Sequence, residues 1–526
     1  MCESFAPDPF AARGEFRNEP YTDFHDPQNV RAFQAALAQA RARCGERHPL
    51  VIAGREVWTA ATLDSTNPAH PDQVVGTFSQ AGVAEAARAV AAAVDAFASW
   101  KRTPADERAG LLMRCADLLR ARRHLFSAGM VLEVGKSWPE ADADTAEAID
   151  FLDYYARQMV RLARKPQPHQ AYGECDQLRY IPLGVGAIIP PWNFPLAIAA
   201  GMTAAAIVAG NTAVLKPAST APQTAWDFFQ LLGEAGLPPG VVNFLTGPGG
   251  TIGDALVDDP RTRLISFTGS KEVGVRIYER AARLQPGQRW LKRAILEMGG
   301  KGAVVVDETA DLEAAAQAIV ASAFGFGGQK CSAGSRAIVV DAVHDAVLHE
   351  VVERAARLVV GDPADPQTAI GPVIDAAAQR RILAYIEAGR AEGRLVLGDQ
   401  ARPREGYFVA PTILADVDPC ARIAQEEIFG PLLAFIRARD VPDAIRIAND
   451  TDYGLTGSFY SRDPERVAWV KDEFHVGNLY INRKSTGALV GPHPFGGFNM
   501  SGTDSKAGGP DYLLAFTQGK SIGEKA

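Results

Sequence analysis

Apolar positions recur at helical spacing over residues 82–165, and the run breaks only near residues 102–104 and around GKSWPE, residues 135–140. This predicts a set of amphipathic helices that need a sheet or one another to cover their apolar faces. Ahead of them, Asp26 and Pro27 supply a cap and a first turn for a helix through VRAFQAALAQARARCG, and LVIAGREVW reads as a short strand in a peripheral layer. From Arg179 onward the pattern becomes strand, helix, strand. RYIPLGVGAIIP, TAVLKP, VVNFLTGPG, RLISFTG and RAILEMGG are short apolar runs separated by helical stretches. A second alternating unit has strands at GAVVVD, SRAIVVD, FVAPTILADV and LLAFIRA. Short buried runs separated by helices predict mostly parallel sheets covered on both faces, hence an α/β protein with two sheet-centred units meeting near Leu296. Two polar stretches, KPQPHQAYGECDQLRY and the tail from about Thr503, interrupt this scheme and read as arms that leave their domain to pair with another subunit.

Composition narrows the classes. At 526 residues, 47% hydrophobic and 22% charged, the chain is long enough for two or three well-buried cores. A formal charge of -8 gives no general attraction for nucleic acid or an anionic membrane. The basic clusters RARR and RLARK read as solvated helix faces. Residues 180–215 carry no charge, yet Pro190, Pro191, Asn193 and Pro195 interrupt them, which argues for a buried strand, a loop and a helix rather than a membrane span. The six cysteines form no CxxC or zinc-like group and the nine histidines no HExxH, so neither a disulfide framework nor a metal site is expected. With no basic-then-apolar leader at the start, the reading is a cytoplasmic protein.

Six places carry chemistry. In VVNFLTGPGGTIG, Gly247, Gly249, Gly250 and Gly253 stand where a strand turns into a helix; free backbone N–H groups there can cradle an anion such as a dinucleotide pyrophosphate, or form a tight turn without a ligand. Gly269 and Ser270 make a second such turn. Lys216 ends a strand immediately before Pro217, either facing ribose or phosphate oxygens or simply exposed. Glu297 closes an apolar strand before Gly299 and Gly300; burial raises a carboxyl pKa toward neutrality, as a general base requires, while a cap or ion-pair acceptor is the other reading. Cys331, in FGFGGQKCSAGSR, has polar and glycine-rich neighbours rather than the apolar pattern around an inert thiol. Asn193, in PPWNFP, is either an oxyanion donor or a structural turn amide.

Together PPWNFP, KPAST, FTGSKEVG, LEMGGKG, GGQKCSAGSR, EEIFGPLL and PFGGFNMSG resemble the aldehyde dehydrogenase superfamily, in family order and over roughly residues 24–516. The resemblance implies a Rossmann-type NAD-binding domain with an N-terminal helical layer (1–165 and 181–296), an α/β catalytic domain (297–502), and a small β oligomerisation arm with the C-terminal tail (166–180 and 503–526). It implies Cys331 as nucleophile, Glu297 as general base and Asn193 as oxyanion donor. It places Pro191, Trp192, Lys216, Ser219, Gly249, Gly253, Gly269, Ser270, Glu427 and Phe429 along the cofactor. Many NAD-specific members carry glutamate where this chain has Ser219, so NAD is expected with some tolerance for NADP. NRKSTGALVGPHPFGGFNMSGTDSKAGGPDYL, residues 482–513, is similar to the substrate-anchor loop of the branch that oxidises L-glutamate γ-semialdehyde in proline degradation. That implies a carboxylate held by Ser332, Gly487 and Ala488, with Phe194 and Phe495 flanking the aliphatic part. It also implies a homodimer or larger homo-oligomer and a proline dehydrogenase as a partner. An NAD(P)-dependent dehydrogenase for another small aliphatic aldehyde is the alternative. A catalytically silent binding protein on the same fold would lack the thiol, base or oxyanion group, and all three are present.

Overall fold

The computed structural model describes residues 10–164, 169–398, 402 and 405–525; Cys2 and residues 166–168 of the expected arm lie outside them. Helix α1 (Pro27–Ala42) starts as its sequence predicts, with the Asp26 carboxylate accepting from the N–H of Gln28 at 2.8 Å. Four helices follow: α2 (Val83–Trp100), α3 (Ala105–Ala121), α4 (Arg123–Val134) and α5 (Trp138–Ala163). The breaks fall where expected, plus one at Arg122 that the periodicity hides. Arg120, Arg122 and Arg123 of the RARR cluster pair with Glu19, Asp117, Glu234 and Asp142.

The first seven-stranded sheet contains β1 (Leu50–Ile52), β2 (Arg55–Val57), β3 (Val185–Ile189), β4 (Thr212–Leu215), β5 (Val242–Phe244), β6 (Thr262–Thr268) and β7 (Arg293–Glu297). Its order is β7-β6-β3-β4-β5-β1-β2. Strands β3 to β7 are parallel; LVIAGREVW, expected as one peripheral strand, is instead the β1–β2 hairpin added antiparallel at the edge. The order reverses between β3 and β6, so the loops leaving their carboxyl ends open a crevice of the kind in which such sheets bind ligands. The second sheet holds β8 (Ala303–Val306), β9 (Arg336–Val340), β10 (Arg394–Leu397), β11 (Thr412–Ala415), β12 (Leu432–Ala438), β13 (Thr456–Tyr460) and β14 (Asn478–Ile481), in the order β10-β11-β12-β9-β8-β13-β14. All but the edge strand β10 run parallel.

RYIPLGVGAIIP is not one strand. Gly184, at φ 147°, divides it: Glu174–Pro182 pairs antiparallel with Thr517–Lys525 as a separate two-stranded ribbon, and β3 begins at Val185. The tail is also used in two parts, because residues 503–516 fold back on the first sheet before the ribbon strand starts. Among the described residues no helix is long and apolar enough to cross a membrane, and the uncharged stretch resolves into β3, a loop, α6 (Ala197–Val208) and β4.

Helix α5 is the centre of the helical layer, packed against α3, α4 and α6. Its run of acidic residues is not a solvated face. Asp142, Asp144 and Asp150 are buried, and Asp144 sits 2.6 Å from the equally buried Lys136 while accepting from the N–H of Ala197 at the start of α6. A buried pair of this kind persists only with its remaining valences satisfied.

At the start of β9, Arg336 is 2% exposed and its guanidinium donates to the carbonyls of Lys301, Ile447 and Ala448. Removing these charge-assisted bonds leaves three buried carbonyls without that donor. Arg336→Met is expected to cost on the order of 3 kcal/mol, read as a lower urea midpoint at unchanged slope.

Candidate active site

Cys331 follows from a helix end. Helix α9 (Leu312–Phe324) stops, and Phe326, Gly327 and Gly328 take φ values of 52°, 60° and 70°. A Cβ on Gly328 would collide with the carbonyl of Gly430, so glycine is needed there for contact as well as for conformation. The turn delivers Cys331 and Ser332 to the wall of a cavity of about 350 Å³. Glu297, from the carboxyl end of β7, lines the same cavity, as do Phe194, Phe495, Gly487 and Ala488. Residues as far apart in sequence as Phe194 and Phe495 thus share one enclosure.

Burial drives the electrostatics. The Cys331 thiol is pushed up to about 12 by desolvation and by the facing carboxyls of Glu427 and Glu297. Desolvation raises Glu297 to about 8, opposed by the Ser505 hydroxyl, which donates to Oε1 at 2.5 Å, and by the N–H of Gly497. Its Oε2 is buried with no hydrogen-bond partner among the described residues. The partly buried strand-end carboxyl expected from the sequence is therefore present, and it is neither a helix cap nor an ion-pair acceptor.

Asn193 lies in the loop leaving β3. It is buried, does not line the cavity, and donates its amide to the carbonyl of Gln329, two residues before Cys331, at 3.0 Å. Phe194 is backed by Lys136, whose Nζ lies 3.9 Å from the ring centroid. Gly487 is at φ 77°, and its carbonyl accepts from the Arg483 guanidinium. The Ser332 carbonyl accepts from Thr456 and Ser485. Phe495 is fixed by reciprocal backbone bonds to Ala507 at 2.8 and 2.7 Å.

The residues expected along a dinucleotide occupy the carboxyl edge of the first sheet, except Glu427 and Phe429, which come from the loop before β12 of the second. Lys216 is only 3% exposed, so it is not an exposed terminating lysine; burial lowers its pKa to about 8, and its Nζ donates to the carbonyl of Pro217. Ser219 is exposed and its hydroxyl donates to the carbonyl of Gly247 at 3.2 Å. Gly249 and Gly253 bound one helical turn, and a Cβ on either would meet nothing within 4 Å. Ser270 caps helix α8 (Lys271–Ala282) by accepting from Val273, and the N–H of Gly269 donates to the carbonyl of Glu297. Trp192, beside Pro191, packs edge-on against Phe429, ring centroids 5.6 Å apart. Glu427 accepts from the N–H of Gly300 at 2.9 Å.

Several charged or polar groups at the cavity were not singled out in the sequence, among them Glu140, Glu147, Lys330 and Lys484 on its wall and Ser505 behind Glu297. Glu147 lines it from α5, with burial raising its pKa to about 8, aided by Asp144. Lys330 lines it beside Glu140, 2.7 Å away. Ser505 holds Glu297. The chain around Glu147, EADADTAEAIDFLD, reads as a solvent face unless α5 is known to be covered. Among the described residues there is no metal-ligating cluster, and Cys44, Cys115, Cys175, Cys331 and Cys420 are free.

Residues 58–522 match the model of the aldehyde dehydrogenase family, so the chain belongs to that family. It is 56% identical over 509 residues to the 1-pyrroline-5-carboxylate dehydrogenase of Geobacillus thermodenitrificans, covering 97% of this chain and 99% of that one. Among solved structures, a 1-pyrroline-5-carboxylate dehydrogenase from Thermus with bound NAD superposes with a TM-score of 0.96 at 50% identity, over 97% of this chain and 99% of that one. Proline utilization A from Bdellovibrio bacteriovorus gives a TM-score of 0.96 at 45% identity, with 99% of this chain matching 54% of that protein.

The raised pKa of Glu297 predicts a stability effect with a definite sign. Between about 4.5 and 8 the unfolded carboxyl ionises while the buried one stays protonated, so this group increasingly opposes folding as pH rises through that window. Glu297→Gln should therefore gain stability relative to wild type at pH 8.5 compared with pH 5. Each unit of displacement is worth about 1.4 kcal/mol, and urea melts of both proteins at the two pH values measure it.

Proposed function

We propose that the chain is an NAD-dependent dehydrogenase that oxidises L-glutamate γ-semialdehyde, the open form of 1-pyrroline-5-carboxylate, to L-glutamate in proline degradation. The observation that carries this reading is one cavity combining a thiol, a high-pKa carboxyl and, facing them, the Gly487–Ala488 backbone with Ser332. Small residues there expose main-chain donors for a carboxylate, Phe194 and Phe495 flank a short methylene chain, and the Glu147 carboxyl is the acceptor an α-ammonium needs. The relatives named above support the substrate class.

In this mechanism Cys331 releases its proton to solvent as its sulfur attacks the aldehyde carbon. The alkoxide is met by the N–H of Cys331 and by the amide N–H of Asn193 that the Gln329 carbonyl leaves free, which must turn to reach the cavity. NAD, when bound, supplies a cationic ring and the hydride acceptor that turn the hemithioacetal into a thioester. Glu297 then takes a proton from a water whose oxygen attacks the thioester carbon; the Cys331 sulfur leaves, and L-glutamate is freed. The residues present fit the cofactor. The turn at Gly249 and Gly253 is open to an approaching phosphate, with Gly269 and Ser270 beside it. Buried Lys216 has donors left for ribose oxygens, Ser219 flanks the adenosine side, and Glu427, Phe429, Pro191 and Trp192 stand toward the nicotinamide.

The same reading makes the ribbon Glu174–Pro182 with Thr517–Lys525 an oligomerisation arm of a cytoplasmic homo-oligomer. A proline dehydrogenase, the supplier of 1-pyrroline-5-carboxylate, is its metabolic neighbour.

Cys331→Ala should abolish oxidation while NAD affinity, read by fluorescence titration, stays nearly intact. Wild type should favour the semialdehyde over pentanal on the order of 10²-fold in kcat/KM, since two desolvated charge-assisted bonds are at stake. Comparable efficiencies for both would return the chain to a general aliphatic aldehyde dehydrogenase. Ser219→Glu should reduce use of NADP more than use of NAD, because the new carboxylate repels a 2'-phosphate; the ratio of the two efficiencies measures it.

A further inference from the structure

Residues 501–508 return from the second sheet to β7 and are fixed there at both ends. The N–H of Met298 donates to Ser501, the N–H of Thr503 to Leu296, and Gly502 bridges Glu297 antiparallel. At the far end Ala507 pairs with Phe495, and the N–H of Gly508 donates to the hydroxyl of Tyr155 at 2.8 Å. Between these anchors the backbone is strained on both sides of one residue: Asp504 and Lys506 are non-glycine residues at φ 52° and 49°. Such conformations persist where the surroundings over-determine them, and they cluster at working sites. The residue between them is Ser505, whose hydroxyl donates to Oε1 of Glu297 at 2.5 Å. The other carboxyl oxygen has no partner among the described residues, and Glu297 lines the cavity shared with Cys331.

We propose that Ser505 is a positioning residue for the reaction: by pinning one oxygen of Glu297 it leaves the other to the water that hydrolyses the Cys331 thioester. The inference rests on Glu297 being the general base. The strained loop fixes the serine, the serine fixes the carboxyl, and the hydrogen bond favours the carboxylate over the acid. The groups that face Glu297 are Lys506 and Asp504 from the same loop, the N–H of Gly497, Cys331 from the nucleophile turn and Tyr512 from the short helix Tyr512–Phe516. Lys506 is itself held by the carbonyls of Gly477 and Gly496, so the serine is the side chain in this set that directly contacts the base.

The test uses the full-length enzyme with NAD and the semialdehyde, following NADH by rapid mixing and in the steady state across pH. Ser505→Ala should keep the burst amplitude and rate within about twofold and lower steady turnover on the order of 10-fold, the scale of one hydrogen bond to a charged group. Losing the donor raises the Glu297 pKa, so the rising limb of kcat should move to higher pH; Ser505→Thr, which keeps the hydroxyl, should restore it. If Ser505→Ala does not fold, Ser505→Cys, of similar size and a weak donor, must show the same alkaline displacement. Wild-type turnover and profile in the Ala or Cys variant, while Glu297→Gln keeps its burst and loses turnover, overturns the role of Ser505 alone. An equal loss of burst and turnover with an unmoved profile also overturns it, as a merely structural tie. Glu297→Gln turning over like wild type removes the general-base reading itself.

Discussion

The link between the two seven-stranded sheets has no room for side chains on its inner face. Residues 298–302 carry the chain from β7 to β8, and a Cβ on Gly299 would collide with the Glu427 carboxyl, one on Gly300 with the carbonyl of Cys331, and one on Gly302 would lie 2.7 Å from the carbonyl of Ala333. This contact brings together three places remote in sequence: the end of β7, the turn after α9 and the loop before β12. The positions of Glu297, Cys331 and Glu427 follow from it. At Gly300 and Gly302 the approach is backbone against backbone, so the placing of the thiol turn against the end of β7 is set by main-chain packing, the condition under which preorganised groups are effective, while at Gly299 it is the Glu427 carboxyl that fills the space.

A second constraint is the cost of burying charge. Glu297, Glu147, Lys216 and the Lys136–Asp144 pair all sit in or beside low-dielectric surroundings. The raised carboxyls of Glu297 and Glu147 and the lowered Lys216 titrate nearer neutrality than they would in water. Such clusters are unfavourable for folding and characteristic of functional sites. The large apolar layers around them, from α2 through α6 and both sheet cores, offset that cost.

Legibility in the sequence followed the hydrophobic pattern. Strands β3 to β9, β11 and β12 are short, mostly apolar runs and were readable as buried parallel strands. Three strands of the second sheet were not. TGSFY in β13 is fully buried yet mostly polar or small, NLYI in β14 is too short for a period to emerge, and β10 is a half-exposed edge. Cys331, Glu297 and the cavity-lining glycine turn were legible because their neighbours break the apolar pattern. Glu147 and Ser505 were not, because their roles depend on contacts across 150 to 208 positions, Glu147 to Glu297 through the shared cavity and Ser505 to Glu297 by hydrogen bond. An acidic helix face and a serine in a polar loop have the same local signature whether they meet solvent or a buried site.

The high pKa of the Cys331 thiol bears on the protein's chemical durability. Oxidants and alkylating agents act on thiolates, and a thiol pushed up to about 12 presents almost none at neutral pH. Desolvation chiefly holds it there, with the carboxyls of Glu427 and Glu297 adding to it, while Lys330 on the same cavity wall is paired with Glu140 instead. Cys331 is only partly buried on the cavity wall, so in the free protein it is the retained proton more than burial that shields the sulfur. A cation brought to the sulfur lowers its pKa and raises the thiolate fraction, so reactivity toward peroxide rises in the same states in which the sulfur is being used.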